Sequence, residues 1–296
     1  MEAAIPLSVP SRPHRSAIPR AVPAIVLALL LAGCANTSED PPSPSTGDQP
    51  DTVDADGEQD PRGDGTDEPE EPTDPPGPLD GFTVVIDPGH NGANHTAPDV
   101  INEQIDAGGL MKNCDTVGAS TDDGYAEHEF NFDLATELRD LLEADGAEVV
   151  LTREDNDGVG PCLPDRAGAA NDIDADAAIS LHADGGPPSG RGFHIIAPAE
   201  VSGHTEDIVE PSRDLGESVR DSYAEAADMA ISDYISTEDG IHVRDDLGGL
   251  NLSTVPKVFL EAGNMRNAED AALLSDPDWR EDAAAGVAEG IAAFLE

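Results

Sequence analysis

The chain has 296 residues and carries 62 acidic against 15 basic side chains, a formal net charge of −47. That length allows one large folded domain or two small ones. Charge of this sign excludes a nucleic-acid partner, because phosphate binding needs clustered Lys and Arg, and the only lysines are Lys112 and Lys257. The acid-rich exterior otherwise speaks to solubility and not to chemistry.

At the N-terminus, Arg12, Arg15 and Arg20 precede AVPAIVLALLLAG, an apolar run of signal-peptide rather than transmembrane length. It ends in Leu31-Ala32-Gly33-Cys34, which resembles the lipobox of bacterial lipoproteins, where cleavage precedes a cysteine that carries the lipid. Residues 1–33 are therefore expected to be a lipoprotein signal peptide, with Cys34 the lipid attachment site of an exported, membrane-anchored chain. Residues 34–80 are almost all proline, glycine, threonine and acid. Such a segment cannot offset its ordering entropy, so it reads as an extended, disordered tether. The other two cysteines, Cys114 and Cys162, make an even pair in an oxidising compartment. A disulfide clipping their two loops is the expectation, with free thiols or a metal pair as the alternatives.

The folded unit is expected over 81–296, a single domain by length. Period-two or continuous apolar runs predict strands at 83–87, 147–152, 177–182, 192–197 and 256–261. Helical spacing predicts helices over 130–143, 163–171, 212–230 and 279–295; in the first, Phe130, Leu134, Leu138, Leu141 and Leu142 share a face. Strands alternating with helices give an α/β fold with a mostly parallel or mixed sheet. Segments 89–126 and 231–254, rich in Gly, Asp and Asn, resist assignment and are read as functional loops.

Three strands run into chemistry at their C-terminal ends: VVIDPGH into His90, AAISLHAD into His182, and VPKVFLEAGN into Glu261. Ligands of α/β folds gather at such ends. A fourth group, Glu127, stands just ahead of the first turn of the 130–143 helix. Two imidazoles and a carboxylate are a sufficient ligand set for a hydrolytic Zn²⁺ with an open position, and a further carboxylate can serve as proton carrier. Read singly, each of these residues is equally a turn former or a buried ion-pair partner.

The segments VVIDPGH, EHEFNFDLATELRDLLEADGAEVVLTRED, ISLHAD and VFLEAGNMRN resemble the zinc-dependent N-acetylmuramoyl-L-alanine amidases of the amidase-3 family, in family order over nearly all of 82–296. The compact mycobacterial-type branch is the most similar, through DPGHNG, a cysteine-bearing insertion before DGYAEH, the second cysteine in GPC, and SLHADGGPPSGRGFH. The resemblance implies one Zn²⁺ held by His90, Glu127 and His182, with Glu261 as the catalytic base. Where many members have Glu-Lys this chain has Glu127-His128, so Glu129 is a competing carboxylate. Residues two apart on a helix point to different sides, which favours Glu127.

Of the rest, His128 reads as an outer support or an exposed group, and His194 as a weak candidate for lining a groove. Asp87 reads as a turn residue or a partner orienting His90, and Arg166 as a brace for the loop after TRED. Glycines 185, 186, 190 and 192 read as shaping a peptide groove or as plain loop flexibility. His95, His204 and His242 carry no assignment. The implied substrate is peptidoglycan or a muropeptide, and a monomer is expected. The competing functions are a non-catalytic muropeptide-binding lipoprotein and a zinc peptidase acting on stem-peptide bonds.

Overall fold

The structure, a computed structural model, describes residues 76–296 apart from position 238. The expected signal peptide, Cys34 and residues 35–75 of the tether lie outside the described residues. In chain order the elements are β1 (Thr83–Pro88), α1 (Pro98–Ile101), β2 (Gln104–Asp106), β3 (Met111–Asn113), α2 (Glu127–Ala144), β4 (Glu148–Leu151), α3 (Leu163–Asn171) and β5 (Ala177–Asp184). There follow β6 (His194–Pro198), α4 (Val209–Ala226), β7 (Ile241–Arg244), α5 (Gly248–Asn251), β8 (Lys257–Asn264), α6 (Ala268–Leu274) and α7 (Pro277–Leu295).

Six strands form one sheet in the order β4-β1-β5-β8-β6-β7. The first four run parallel; β6 meets β8 antiparallel, and β7 follows β6 in parallel at the edge. The expected α/β fold with a mostly parallel, mixed sheet is what the chain adopts. No helix among the described residues is long and apolar enough to cross a membrane.

Alternation along the strands sorts side chains onto two faces. One face carries Val84, Ile86, Ile179, Leu181, Ile195, Val258 and Leu260, all buried. It packs in one cluster with Phe130, Leu134, Leu138 and Leu142 of α2, Leu215, Val219 and Tyr223 of α4, and Trp279, Val287 and Ile291 of α7. The other face is apolar only in patches, with Val85 and Ala178 packed near Ala170 of α3, and Ile196 and Phe259 near Leu250 of α5. Between and beyond those patches it presents Asp87, Ser180, His182, Lys257, Glu261 and His194.

The predicted elements lie within a few residues of their observed bounds, and α3 matches 163–171 throughout. The helix that was expected to start after Glu127 begins at Glu127 itself, capped by the extended backbone of Ala126. The two unassigned segments hold the short hairpin β2–β3 and the edge strand β7. Strands of three and four residues with exposed positions show too little alternation to stand out in sequence.

Candidate metal centre

Strand β1 delivers the chain into Asp87-Pro88-Gly89-His90, and His90 takes a left-handed backbone with φ of 60°, a conformation that costs a non-glycine residue energy. Hydrogen bonds over-determine the turn. Arg166 donates to the carbonyls of Pro88 and His90, both at 2.9 Å, and Arg153 donates to the carbonyl of Pro88 at 2.9 Å. Gly89 cannot be replaced by a larger residue, because a Cβ there would run into the His182 ring. His182 stacks on Phe259 with ring centroids 5.2 Å apart and meets His90 edge-on at 5.0 Å.

From the first turn of α2, Glu127 places Oε1 at 3.2 Å from His90 Nε2 and 2.9 Å from His182 Nδ1. One ligand atom from each of the three lies within 4.8 Å of the others. A tetrahedral Zn²⁺ with bonds near 2.0–2.1 Å separates its ligand atoms by about 3.3 Å. The two edges measured here are close to that, and an imidazole–carboxylate donor set suits the ion. Glu129 is exposed and is not among the clustered ligand atoms. The residues fit a zinc ion.

The electrostatics agree with a site built for positive charge. Burial alone would depress His90, but the carboxylates of Glu127 and Asp115 outweigh it and raise the imidazole pKa to about 10. Burial likewise disfavours the charged form of Glu127, yet the two histidines hold it well below the usual carboxylate range.

Glu261 stands directly across from His182 in the β5–β8 pairing, so both project from the same face. Burial, then the charges of Glu127 and Asp184, push its carboxyl well above the ordinary range. Its Oε2 is buried without a hydrogen-bond partner. A cavity of about 450 Å³ is lined by His90, Gly118, Glu127, His182, Gly185, Arg244 and Glu261. A second, of about 420 Å³, also borders the two histidines and is lined by Met111–Asn113 of the hairpin and by Asp246–Gly249. The two histidines thus border both cavities, concave space of the kind that takes a ligand.

Several supporting residues differ from expectation. Asp87 neither makes a turn nor touches His90. It is buried and ion-paired to Arg166 at 2.8 Å and Lys257 at 3.2 Å, and it accepts hydrogen bonds from Thr152 and Ser180. Those cations overcome burial and keep it ionised far below the usual range. The residue that touches His90 is Asp115, 3.3 Å from Nδ1, with the Thr116 carbonyl at 3.2 Å. Arg166 braces the His90 turn and Asp115 more than the loop after TRED, where it holds only the Pro161 carbonyl.

His128 turns to Asn156 at 3.0 Å, away from the centre. His194 does not line either cavity; it is buried beside Tyr234 and His242. Gly186 and Gly190 approach Tyr234 so closely that a Cβ at either would meet its side chain at 2.6 Å. Cys114 and Cys162 form a disulfide.

Fold and site together define the class: an α/β protein with a metal-capable His–Glu–His centre at the C-terminal edge of its parallel strands. The chain belongs to the amidase-3 family of N-acetylmuramoyl-L-alanine amidases, whose model matches residues 84–293. It is 40% identical to the N-acetylmuramoyl-L-alanine amidase Rv3717 of Mycobacterium tuberculosis over 221 residues, 74% of this chain and 89% of that protein. The crystal structure of the amidase Ami1 from Mycobacterium smegmatis superposes with a TM-score of 0.68 at 40% identity, covering 73% of this chain and 98% of that one. The Ami1 structure from Mycobacterium abscessus gives the same score and identity over 74% of this chain and all (100%) of that one.

Proposed function

We propose that this chain is an extracytoplasmic zinc amidase that hydrolyses the bond between the lactyl group of N-acetylmuramic acid and L-alanine in peptidoglycan. The observation that carries the reading is the meeting of His90, Glu127 and His182 within 4.8 Å beside a carboxylate, Glu261, with an unpartnered buried oxygen. His90 and His182 would hold the ion through Nε2 and Nδ1, and Glu127 through Oε1. When bound, Zn²⁺ supplies Lewis acidity, polarising a carbonyl and lowering the pKa of water from about 15.7 to about 7.

The chain's own residues do the rest. Glu261, raised in pKa by burial and by Glu127, takes the proton of the attacking water and returns it to the departing amide nitrogen. The two cavities receive the glycan-side and peptide-side portions of the substrate, and Phe259 and Leu247, common to both walls, keep the space around His182 apolar.

Cys34 would carry the lipid, residues 34–75 would tether the domain off the membrane, and the domain would act as a monomer. Residues 76–80, expected in the tether, belong to the domain, with Leu79 buried in the core and its N–H donating to the Asp145 carbonyl at 2.9 Å. A Cys34→Ala variant should then leave the membrane fraction; retention there would remove the anchor from the reading.

Digestion of purified muropeptides by zinc-loaded protein, followed by mass spectrometry, tests the activity. The expected products are a lactyl sugar without peptide and a peptide with a free L-alanine terminus. Fragments cut within the stem peptide, or intact substrate, would overturn it.

A further inference from the structure

We propose that residues 114–119 are a strap that sets which atoms the centre presents, with Asp115 as the positioning residue for His90 and the Cys114–Cys162 disulfide as the strap's anchor. The inference rests on the zinc reading above and concerns residues that reading does not use.

At one end of the strap, His90 Nδ1 lies 3.3 Å from Asp115 Oδ1 and 3.2 Å from the Thr116 carbonyl. The carboxylate and the carbonyl only accept, and the Thr116 hydroxyl, also 3.2 Å from Nδ1, can accept as well, so Nδ1 carries the hydrogen and donates it. In the neutral imidazole that fixes the tautomer and leaves the lone pair on Nε2, the nitrogen nearest Glu127, the arrangement a metal-binding imidazole needs. At the other end, the Ala119 N–H donates to Glu127 Oε2 at 2.6 Å. With Oε2 occupied, Oε1 is the oxygen left for the two imidazoles. Between these ends Gly118, with φ of 77°, passes so close that a Cβ would meet His90 Cδ2 at 2.7 Å and Glu127 Oε2 at 2.8 Å. Six residues therefore address two of the three donors.

The strap belongs to no helix or strand, so its position must be imposed from outside. Cys114 is bonded to Cys162, the residue that caps α3, and the Leu163 N–H donates to the Cys114 carbonyl at 3.1 Å. One turn into α3, Arg166 reaches back to Asp115 Oδ2 at 3.1 Å and to the His90 carbonyl at 2.9 Å. The disulfide thus ties the strap to the helix whose arginine holds both Asp115 and His90. Breaking it frees the strap at the point nearest Asp115.

The test measures zinc affinity by chelator competition, together with the visible spectrum of the Co²⁺-loaded protein. Wild type, Asp115→Ala, Asp115→Asn, the Cys114→Ser/Cys162→Ser pair and His182→Ala are compared. Loss of a carboxylate behind a ligating histidine weakens metal binding by about 10–100-fold, and that is expected for Asp115→Ala with a shifted Co²⁺ spectrum. Asp115→Asn keeps an acceptor oxygen and should lose less. The serine pair, or wild type after reduction, should move in the same direction.

If Asp115→Ala fails to fold, the asparagine and serine variants carry the comparison. Affinity within about twofold of wild type across all three would overturn the proposal. So would a lower melting temperature of the metal-free protein with zinc affinity and Co²⁺ spectrum unchanged. If wild type binds zinc no better than His182→Ala, the zinc reading itself fails instead.

Discussion

The two faces of the central sheet are made by alternate residues of the same strands, yet they are built on opposite principles. Toward α2, α4 and α7 the face is a continuous apolar layer, where Ile86, Ile179, Leu181 and Leu260 need no partner beyond good packing. On the other face the same strands place Asp87, Lys257, His182 and Glu261, and the buried charges of Asp87 and Lys257 survive by being matched. Lys257, fully buried, is matched by Asp87, and Asp87 by Arg166. The first face supplies stability, and the second spends some of it to hold a reactive cluster in place. Glu261 keeps a buried oxygen without a partner on that face, and it is the group assigned to the chemistry.

The sharpest way to separate the faces is Glu261→Ala. Amide hydrolysis should fall by about 10³-fold or more, the upper part of what a general acid–base group contributes, while zinc content stays at the wild-type level. Zinc lost along with activity would place Glu261 among the ligands and remove its assignment as base.

Next is the buried ion pair. Lys257→Ala leaves Asp87 with one cation fewer and should cost about 3–5 kcal/mol in denaturant unfolding. Leu138→Ala on the apolar side should cost about 2–5 kcal/mol through its cavity. Only the lysine variant should also weaken zinc retention, since Asp87 anchors the arginine that holds the His90 turn. Equal zinc retention in the two would erase the distinction between the faces.

A pH titration of stability reads the polar face from another side. His194 is buried and kept neutral, its pKa lowered to about 4 from 6.5 by burial, then by His242 and Arg244. The unfolded chain binds this proton more readily, so the associated stability is complete above pH 6.5 and is lost as pH falls toward 4. The loss is about 3 kcal/mol. His194→Gln should flatten stability across that window, and an unchanged slope would assign the acid sensitivity elsewhere. The smallest effect is expected at Gly118→Ala: about 1–3 kcal/mol of backbone strain, with weaker zinc binding in chelator competition. Wild-type binding by that variant would mean that the strap yields freely.

Much of the fold was readable because it is local. The runs at 83–87, 177–182 and 256–261 alternate or are uniformly apolar, and α2 carries leucines at helical spacing, so each announces itself within a few residues. The hairpin and β7 do not, being short and exposed. His90, Glu127, His182 and Glu261 were legible as motif ends and by resemblance. Asp115 was not, although it neighbours Cys114, because nothing in a loop of Asp, Thr and Gly tells which histidine its carboxylate will meet. Lys257 left a visible trace, as a lone lysine in an apolar strand, but not the identity of its partner.

By itself, then, the sequence determined the alternation that puts His182 and Ser180 on one side of β5 and Leu181 on the other, the helix register, and the residue types at the strand ends. Tertiary structure alone decided the strand order, which lays β8 against β5 and brings Glu261 alongside His182. It also decided the pairing of Asp87 with Lys257, 170 residues apart, and of His90 with Asp115, 25 residues apart. The reason is physical: side-chain periodicity follows from backbone geometry over a few residues, whereas the neutralisation of a buried charge depends on whichever distant segment the packed sheet carries to within a few ångströms.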